Sequence, residues 1–478
     1  MTNIDFTADD VRKSLFRFSV PMMLFSILDY IGMFVALGWL LTLTDLQQLP
    51  ATFRIAVASV SLLEALFSGL LSAIYVYANQ AFGKKDYVLS NYLLNFGFGV
   101  AVLIALVIAV TGRFCTQYLI SAFGVDPLVK QQVLSYLNVY WFGYLFVIVH
   151  LYGGLLARMA GAVWVIRRFK IVTFGTSVIL CPTFIYFGAQ VGVAALQAAA
   201  GALIVSRLAG LLVLRGDMVQ RKVFPFRLGI DFVPRKLFSR WAELVKLGGA
   251  ETLNSFSLSL SFYLLYLLFS FYEPGTLEAV TVTQYVTGFF QTVLMSAIGT
   301  IIPFTAQNAG GRKLANIGVG VRWMASRTFV LAALPMIPFI LLAPYFIHFF
   351  VGDPETAARA ISYVRITSIP WAVLMASFPF LFAIIGLGDT RGTLLLTIWS
   401  MYLCNLVPVI VIRMAFGGSL TLAAYAESVS NVAIFVGFYL YYLRKEKQLA
   451  REWNAEQMAE QEAQGVHGDG KLAASGAL

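Results

Sequence analysis

Long, uninterrupted blocks of apolar residues dominate this chain. Residues 88–112 and 424–443 are two such blocks, and each is long enough to cross about 30 Å of hydrocarbon as a helix. Strands of a membrane β-barrel would instead alternate apolar and polar residues over short segments. Charge is scarce, because only 12% of the residues are Asp, Glu, Lys or Arg, about half the share in a water-soluble domain. The chain is therefore predicted to be an all-α membrane protein.

Several other classes of function are disfavoured by the sequence. The net charge of +10 is spread over short loops between apolar blocks, so it forms no basic face for nucleic acid. The three cysteines, Cys115, Cys181 and Cys404, are too far apart for a CxxC redox pair or a zinc site. Gly83-Lys84-Lys85 lacks the remaining residues of a Walker A loop. We expect no enzyme activity, no metal site and no bound cofactor. Residues 1–12 lack the apolar region of a signal peptide.

Twelve windows of the sequence are long and apolar enough to span a bilayer as helices. Of the 34 Lys and Arg residues, 26 fall on the side that holds both termini and five on the opposite side. Because basic residues concentrate in cytoplasmic loops, we expect both termini in the cytoplasm and the chain in the inner or plasma membrane. The predicted helices cover 16–42, 52–78, 88–112, 130–156, 163–187, 190–214, 242–271, 279–306, 317–346, 358–386, 393–416 and 419–443.

The two halves of the chain match at a constant offset of 227 residues. Polar matches carry the comparison, since apolar matches are common in such a sequence. They are Gln80 and Gly83 with Gln307 and Gly310, Asp126-Pro127 with Asp353-Pro354, Ser135-Tyr136 with Ser362-Tyr363, and Gly161 with Gly388. Copies with an even number of helices insert with the same orientation, so we expect two pseudo-symmetric six-helix lobes around a central cavity. The predicted divisions are an N-terminal lobe at 1–214, a cytoplasmic linker at 215–241, a C-terminal lobe at 242–443 and a tail at 444–478. The twelfth helix is expected to extend only briefly past Arg444 into this tail.

A repeated loop motif resembles a known family. Residues 78–86 (ANQAFGKKD) follow the second predicted helix, and residues 306–311 (AQNAGG) follow the eighth. Both resemble the Gln-x-x-Gly loop of the multidrug and toxic compound extrusion (MATE) family. Leu247-Gly248, residues 386–390 and residues 192–194 also match. The resemblance covers about residues 12–445 and implies a transporter. The wider superfamily also contains flippases of lipid-linked oligosaccharides.

The acids that the family uses for ion coupling are not at their usual places. The usual position of the helix 1 acid falls near Ala36, whereas the acid here is Asp29. The helix 5 ligands of some members fall on Ser177 and Cys181, and helix 10 has no acid between Tyr363 and Gly388. A coupling network in this chain must therefore use its own acids.

Three acids are candidates for ion coupling, because an ionisable group inside the membrane is costly and is expected to have a partner or a function. Asp29 and Glu64 fall near mid-depth of helices 1 and 2, which we expect to be neighbours, so that the two carboxyls share a proton. Glu251 lies in the first turns of helix 7, where it either caps the helix or binds a cation. Proton is favoured over sodium, because a sodium site needs several converging oxygens.

Candidate substrate-binding groups are polar residues in the predicted helices. Asn254 lies on helix 7, while Gln284, Thr287 and Gln291 form one stripe of helix 8 at spacings of three and four. His150 is either a proton-linked group or a buried, hydrogen-bonded residue, and Arg207 either contacts an anionic group or extends toward the cytoplasm. Arg365 and Glu427 are predicted to form a structural ion pair.

The sequence as a whole indicates a secondary active multidrug exporter. It would exchange protons or sodium ions for an amphipathic organic compound, expected to be cationic, by alternating access. The alternative is a flippase of a lipid-linked oligosaccharide or another anionic precursor, which needs a basic cavity. The expected partners are the small organic substrate and the lipid bilayer, and the chain is expected to be a monomer.

Overall fold

A computed structural model describes residues 4–8, 10–43, 49–122, 127–220, 234–269, 271–272, 276–350 and 353–474. Every regular element in these residues is helical, which confirms the predicted fold class. The first seven helices are α1 (Val11–Leu43), α2 (Leu49–Gly83), α3 (Tyr87–Ala122), α4 (Pro127–Phe142), α5 (Tyr144–Met159), α6 (Val163–Gln190) and α7 (Ala195–Gln220). The others are α8 (Pro234–Phe269), α9 (Thr276–Ile298), α10 (Ile301–Gly310), α11 (Leu314–Phe350), α12 (Pro354–Gly386), α13 (Thr390–Thr397), α14 (Val407–Phe416) and α15 (Leu420–Ala474).

The number of membrane-crossing helices agrees roughly with the twelve predicted. Within the described residues nine helices are long and apolar enough to cross a membrane, and two bent pairs bring the number to eleven. α8 lies where helix 7 was predicted. We refer to α1–α7 as the N lobe and to α8–α15 as the C lobe. Of the predicted linker at 215–241, residues 221–233 lie outside the described residues.

Two of the predicted spans are interrupted. The predicted fourth helix is α4 and α5, which meet at 63° at Gly143. A Cβ atom at Gly143 would lie 2.2 Å from the Ile204 side chain of α7, so a larger residue there would have to displace that side chain. In the eleventh span a π-helix, Ile398–Leu406, joins α13 to α14. Pro408 has no N–H for the carbonyl of Cys404, and the Ser430 hydroxyl donates to that carbonyl instead.

The packing of α1 differs from the prediction. α1 lies along α6 and α9, whereas α2 lies along α8, α3 and α10. Within the described residues, the main contacts of α1 and α2 are therefore with other helices, and not with each other as had been expected. Each of these helices instead packs on both lobes, because α1 reaches α9 and α2 reaches α8 and α10. Helices that are consecutive in the sequence and joined by a short loop usually pack on each other. Here α1 and α2 make larger contacts with helices of the C lobe.

The backbone supports the internal repeat. Left-handed conformations occur at Lys85 and Arg312, with φ of 63° and 55°, and again at Gly161 and Gly388, with φ of 63° and 79°. Both pairs are separated by the offset of 227 found in the sequence. Asp353 caps α12 by accepting from the Thr356 amide at 2.8 Å, with Pro354 at the first helical position. The matching Asp126 lies outside the described residues.

The C-terminal tail continues as a helix for longer than predicted. α15 runs to Ala474 rather than ending soon after Arg444. Its extension is paired with the C lobe, because Glu446 lies 2.9 Å from Arg322 and Glu456 lies 2.9 Å from Arg312. Trp453 packs on the hydrophobic core. Because these contacts join segments that are distant in the sequence, the local composition of the tail predicted too short a helix.

Candidate functional site

The two lobes meet through a reciprocal pair of hydrogen bonds at the face of the bundle where α1 begins and the tail leaves, called here the terminal face. Gln80 at the end of α2 donates to the carbonyl oxygen of Gly386 in the C lobe at 3.2 Å. Gln307 of α10 donates to the carbonyl oxygen of Met159 in the N lobe at 2.9 Å. Donors and acceptors are both related by the 227-residue offset. The duplicated glutamines therefore make the same contact from opposite lobes.

The glycines of the repeated motif allow the backbones to touch. A Cβ atom at Gly83 would lie 1.9 Å from the carbonyl oxygen of Gln307. A Cβ atom at Gly310 would lie 2.0 Å from the carbonyl oxygen of Gln80. No side chain fits at either position, so this approach of α2 to α10 requires glycine on both helices.

Residues 4–8, called here the strap, cross the terminal face from one lobe to the other. The Ile4 amide donates to the carbonyl of Gly161 at 3.0 Å, while Asn308 and Lys313 donate to the carbonyls of Phe6 and Thr7 at 2.8 and 2.6 Å. The Phe6 ring is fully buried. Its centroid lies 5.0 Å from that of Phe18 in α1 and 6.4 Å from that of Phe304 in α10. The strap therefore packs on both lobes.

Further contacts between the lobes extend along α1 and α9. The hydroxyl oxygens of Ser19 and Thr300 are 3.0 Å apart, and those of Ser26 and Ser296 are 3.1 Å apart. One turn further along α1, the rings of Tyr30 and Phe289 meet edge to face at 5.1 Å. The described contacts thus close the space between the lobes from the terminal face to the level of Tyr30.

Asp29 lies between the two α1 residues that touch α9 and forms an ion pair within the N lobe. Its Oδ2 lies 2.5 Å from the Nζ of Lys170 on α6. The Asp29 and Lys170 side chains remain 43% and 23% exposed, so the pair borders open space. Arg158, at the end of α5, is within electrostatic range of both residues. Arg158 also reaches the C lobe, since a Cβ atom at Gly299 would lie 3.5 Å from its Nη1.

Glu64 has a different setting. Its Oε1 accepts a hydrogen bond of 3.2 Å from the hydroxyl of Tyr144, the residue that follows the bend at Gly143. Arg207 on α7 is within electrostatic range of Glu64. The structure therefore gives Asp29 a lysine partner and Glu64 a tyrosine partner, and no described contact joins the two carboxyls.

His150 and Arg207 lie side by side. The Nδ1 of His150 donates to the backbone carbonyl of Arg207 at 3.3 Å, and the imidazole stacks on Phe169 at 4.2 Å. The imidazole is 3% exposed and is within electrostatic range of both Arg207 and Lys170. His150 thus has the buried, hydrogen-bonded setting that was one of its two predicted alternatives.

The C-lobe candidates fall into two groups. Glu251 is buried, accepts a 3.4 Å hydrogen bond from Asn254, and lines a small crevice shared with Tyr77 of the N lobe. On α9 the hydroxyl of Thr287 is buried and donates to a backbone carbonyl, while Gln284 and Gln291 are partly exposed. Glu251 and Asn254 therefore lie together where the lobes meet, and the α9 stripe presents only its glutamines to open space.

The predicted ion pair between Arg365 and Glu427 is not formed. Glu427 accepts a hydrogen bond from the hydroxyl of Tyr363, and the Arg365 side chain is exposed. Tyr363 points toward α15, whereas Arg365, two residues further along α12, points away from α15. Residues two apart on a helix are separated by about 200° around its axis, so both cannot face the same neighbouring helix.

Sequence reasoning missed Lys170, Arg158 and Tyr144. Both cations are among the 26 basic residues counted on the side of the termini, although Lys170 falls inside the predicted window 163–187 and could have been identified there as a charge within a span. Tyr144 carried no polar pattern, and its role depends on the bend at Gly143. Within the described residues no three His, Cys, Asp or Glu side chains converge in a way that could hold a metal ion.

One family model and several solved structures match this chain. The family model MatE matches residues 21–183 and 252–411, which together exceed half of the chain. A MATE protein solved in complex with MaL6 shares 15% identity, with a TM-score of 0.83 over 94% of this chain and 100% of that one. A MATE transporter in an outward-facing conformation shares 16% identity, with a TM-score of 0.81 over 94% of this chain and 99% of that one. No curated protein matches the sequence.

One further solved structure is similar to this chain. It is a MOP superfamily transporter from Pyrococcus furiosus, described as having a binding pocket of reversed polarity. It shares 15% identity, with a TM-score of 0.84 over 94% of this chain and 99% of that one. At these identities the structural matches establish the fold.

Proposed function

Because this chain belongs to the MatE family, a family of membrane transporters and not of enzymes, we propose that it is a secondary active multidrug exporter. It exchanges protons, or alternatively sodium ions, for an amphipathic organic compound by rocking one lobe against the other. The lobes comprise residues 1–214 and 242–443, joined by the linker at 215–241. We place it as a monomer in the inner membrane with both termini, and hence the terminal face, in the cytoplasm.

The observation that carries this proposal is the position of the acids relative to the closure of the terminal face. Asp29 lies on α1 between Ser26 and Tyr30, the residues that contact α9 of the opposite lobe. Glu251 lines the crevice between α8 and α2. A change in the charge of either carboxyl therefore acts directly where the lobes meet, which is what coupling an ion to alternating access requires.

We assign the coupling ion to Asp29, Glu64 and Glu251. Glu64 and Glu251 have neutral hydrogen-bond partners, so each can exchange a cation without breaking an ion pair. Asp29 must leave Lys170 when it takes up a proton. Proton is preferred to sodium because a sodium site needs several converging oxygens, and the positions of the family's helix 5 ligands hold Ser177 and Cys181.

The substrate contacts are proposed to come from both lobes. Arg207 contributes from the N lobe, where His150 acts by holding the Arg207 backbone, while Asn254, Gln284, Thr287 and Gln291 contribute from the C lobe. Phe289, which meets Tyr30 edge to face, adds an aromatic surface suited to a flat organic cation. The buried Thr287 hydroxyl acts by shaping α9 rather than by donating to the substrate, because it is bonded to the Thr283 carbonyl.

A flippase of a lipid-linked anionic precursor is the second candidate. Arg158, Lys170 and Arg207 give the N lobe more positive charge than the sequence indicated, and this favours an anionic ligand. The same region holds Asp29 and Glu64, which offset two of the three charges. A pyrophosphate head group carries several negative charges and needs more than the single positive charge that remains, so the exporter is the better-supported function.

Uptake of a fluorescent organic cation into proteoliposomes tests the proposal. An imposed pH gradient should drive uptake by the purified protein, and Asp29→Asn should reduce the gradient-driven rate to that of empty liposomes. Lys84→Gln, on a loop of the terminal face, is the matched control and should transport normally. No uptake under either a proton or a sodium gradient would reject the exporter and turn attention to lipid-linked substrates.

A further inference from the structure

Three cations of the N lobe form a cluster centred on Lys170, which is itself paired with an acid. Lys170 is paired with Asp29 at 2.5 Å, and Arg158 and Arg207 are both within electrostatic range of Lys170. They come from α6, α5 and α7, three different helices of the lobe. Arginine cannot lose its charge in a protein, so the cluster keeps a surplus of positive charge whatever the state of Asp29.

The titratable groups around this cluster include Asp29, Glu64 and His150, together with the tyrosines at positions 75, 136, 140 and 144. Glu64 is hydrogen-bonded to Tyr144, and His150 to the backbone of Arg207. Tyr75 of α2 is within electrostatic range of Arg158. Asp29 is thus the acid paired directly with a cation of the cluster in the described structure. When Asp29 takes up a proton, Lys170 loses its counter-charge.

The Asp29–Lys170 pair is accessible. Its side chains are 43% and 23% exposed, although the neighbouring residues Ser26 and Tyr30 are engaged with α9. The pair therefore opens onto space beside the lobe interface rather than into a packed core. A ligand can reach Lys170 without unfolding a helix.

We propose that Lys170, supported by Arg207, binds a carboxylate group of the substrate, which replaces Asp29 as the partner of Lys170. Asp29 takes up a proton on its carboxyl, releases the ammonium group, and the substrate carboxylate accepts the hydrogen bond in its place. Deprotonation of Asp29 restores the internal ion pair and expels the carboxylate. This inference rests on the proposed exporter function and narrows its substrate to compounds with an acidic group, including amphoteric ones.

In a cation exporter Asp29 would bind the substrate, whereas here Asp29 competes with the substrate for Lys170. If Asp29 bound a cationic substrate, Asp29→Asn would weaken binding. If Asp29 competes with a substrate carboxylate for Lys170, the same variant leaves the ammonium group free and strengthens binding. Weaker substrate binding by Asp29→Asn would therefore indicate a cation site at Asp29, and stronger binding would indicate a carboxylate site at Lys170.

The test compares two dyes that differ only in the acidic group. One is a xanthene dye with a free benzoate and the other is its methyl ester, the pair known as rhodamine 110 and rhodamine 123. Binding to the purified full-length protein is followed by fluorescence anisotropy. We expect the free acid to bind more tightly than the ester, Asp29→Asn to tighten its binding about tenfold, and Lys170→Gln to weaken it about tenfold. Binding of the ester should change little in either variant.

Two control variants distinguish a loss of binding from a loss of folding. Lys170→Arg retains the charge and should restore binding of the free acid, whereas Arg365→Gln removes an exposed membrane arginine of the C lobe and should have no effect. Arg207→Gln should weaken binding of the acid without removing the partner of Asp29. Tighter binding of the ester than of the acid, or weaker binding of the acid by Asp29→Asn, would overturn the inference.

The same dyes in proteoliposomes separate this inference from the function on which it rests. Gradient-driven transport of the ester in preference to the acid would leave the exporter intact and reject the carboxylate site. Transport of neither dye under a proton or sodium gradient would reject both.

Discussion

At the residue scale, the intramembrane acids differ in what holds them. Asp29 has a charged partner, Lys170, whereas Glu64 and Glu427 accept hydrogen bonds from tyrosines. A carboxyl with a neutral partner can gain or lose a proton without leaving a buried cation unpaired. Glu64 and Glu427 therefore have similar chemistry, but only Glu64 also lies within range of Arg207 in the candidate site.

This difference predicts opposite outcomes for two similar substitutions. Glu64→Gln keeps a carbonyl that can accept from Tyr144 but cannot carry a proton, so gradient-driven uptake should fall at least about tenfold while the protein remains folded. Glu427→Gln should leave uptake unchanged. Initial rates in proteoliposomes and thermal unfolding of both variants provide the measurement. Equal loss in both variants would mean that a packing defect, not coupling, explains the effect.

A second prediction at this scale concerns the glycine at the end of α2. Gly83→Ala places a methyl group 1.9 Å from the carbonyl oxygen of Gln307, so the terminal face must separate at a cost of about 1–3 kcal/mol. The variant should show a lower Tm by fluorescence-monitored unfolding.

Gly175→Ala is the matched control, because a Cβ atom there meets no atom within 4 Å. Its Tm should stay at the wild-type value or rise slightly, since alanine favours a helix over glycine. Equal Tm values for the Gly83 variant and wild type would contradict the close contact.

At the scale of elements, the strap joins lobes that otherwise meet through helices. Its backbone bonds one lobe at Gly161 and the other at Asn308, with the Phe6 ring between Phe18 and Phe304. Opening of the terminal face must break these contacts, because a five-residue segment bonded to both lobes cannot follow both as they separate. The strap therefore stabilises the closed terminal face.

Phe6→Ala should weaken that closed state. Loss of a fully buried aromatic ring costs about 3–5 kcal/mol, so the population with an open terminal face should increase. A cysteine at Ser19 in a cysteine-free background should react faster with a water-soluble maleimide when Phe6 is replaced. Phe16→Ala removes a ring that is 57% exposed and should leave the rate unchanged. A rate unaffected by Phe6→Ala would show that the strap does not hold the closure.

The helices themselves follow from the sequence, but their interruptions do not. Apolar length predicts a span, because hydrocarbon forces every backbone group to bond within the helix. The bend at Gly143 depends on the close position of Ile204, and the π-helix before Pro408 depends on the Ser430 hydroxyl from α15. Both depend on neighbouring helices that are distant in the sequence.

At the scale of the whole molecule, transport by alternating access requires the terminal face to open. The hydroxyls of Ser26 and Ser296 lie 3.1 Å apart across the two lobes, so cysteines at these positions should form a disulfide when the face is closed. In a background without the three native cysteines, oxidation of the Ser26→Cys, Ser296→Cys double variant should stop gradient-driven uptake, and a reductant should restore it.

Each single cysteine variant is the control and should transport normally after oxidation. Complete cross-linking, verified by mass spectrometry, combined with undiminished uptake would rule out opening of this face as a step in transport.

The sequence by itself determined the all-helical membrane class, the approximate number of spans, the duplication and the family, because hydrocarbon thickness and repeated polar pairs are properties of the linear chain. The tertiary structure decided which helices pack together, which partner each acid has, and how far the tail helix extends. Asp29 and Lys170 are separated by more than a hundred residues, and their pairing depends on α1 lying against α6. Contacts of this kind arise from how the helices of a lobe pack on one another, and apolar helices carry little information in their sequences about which neighbour each will contact.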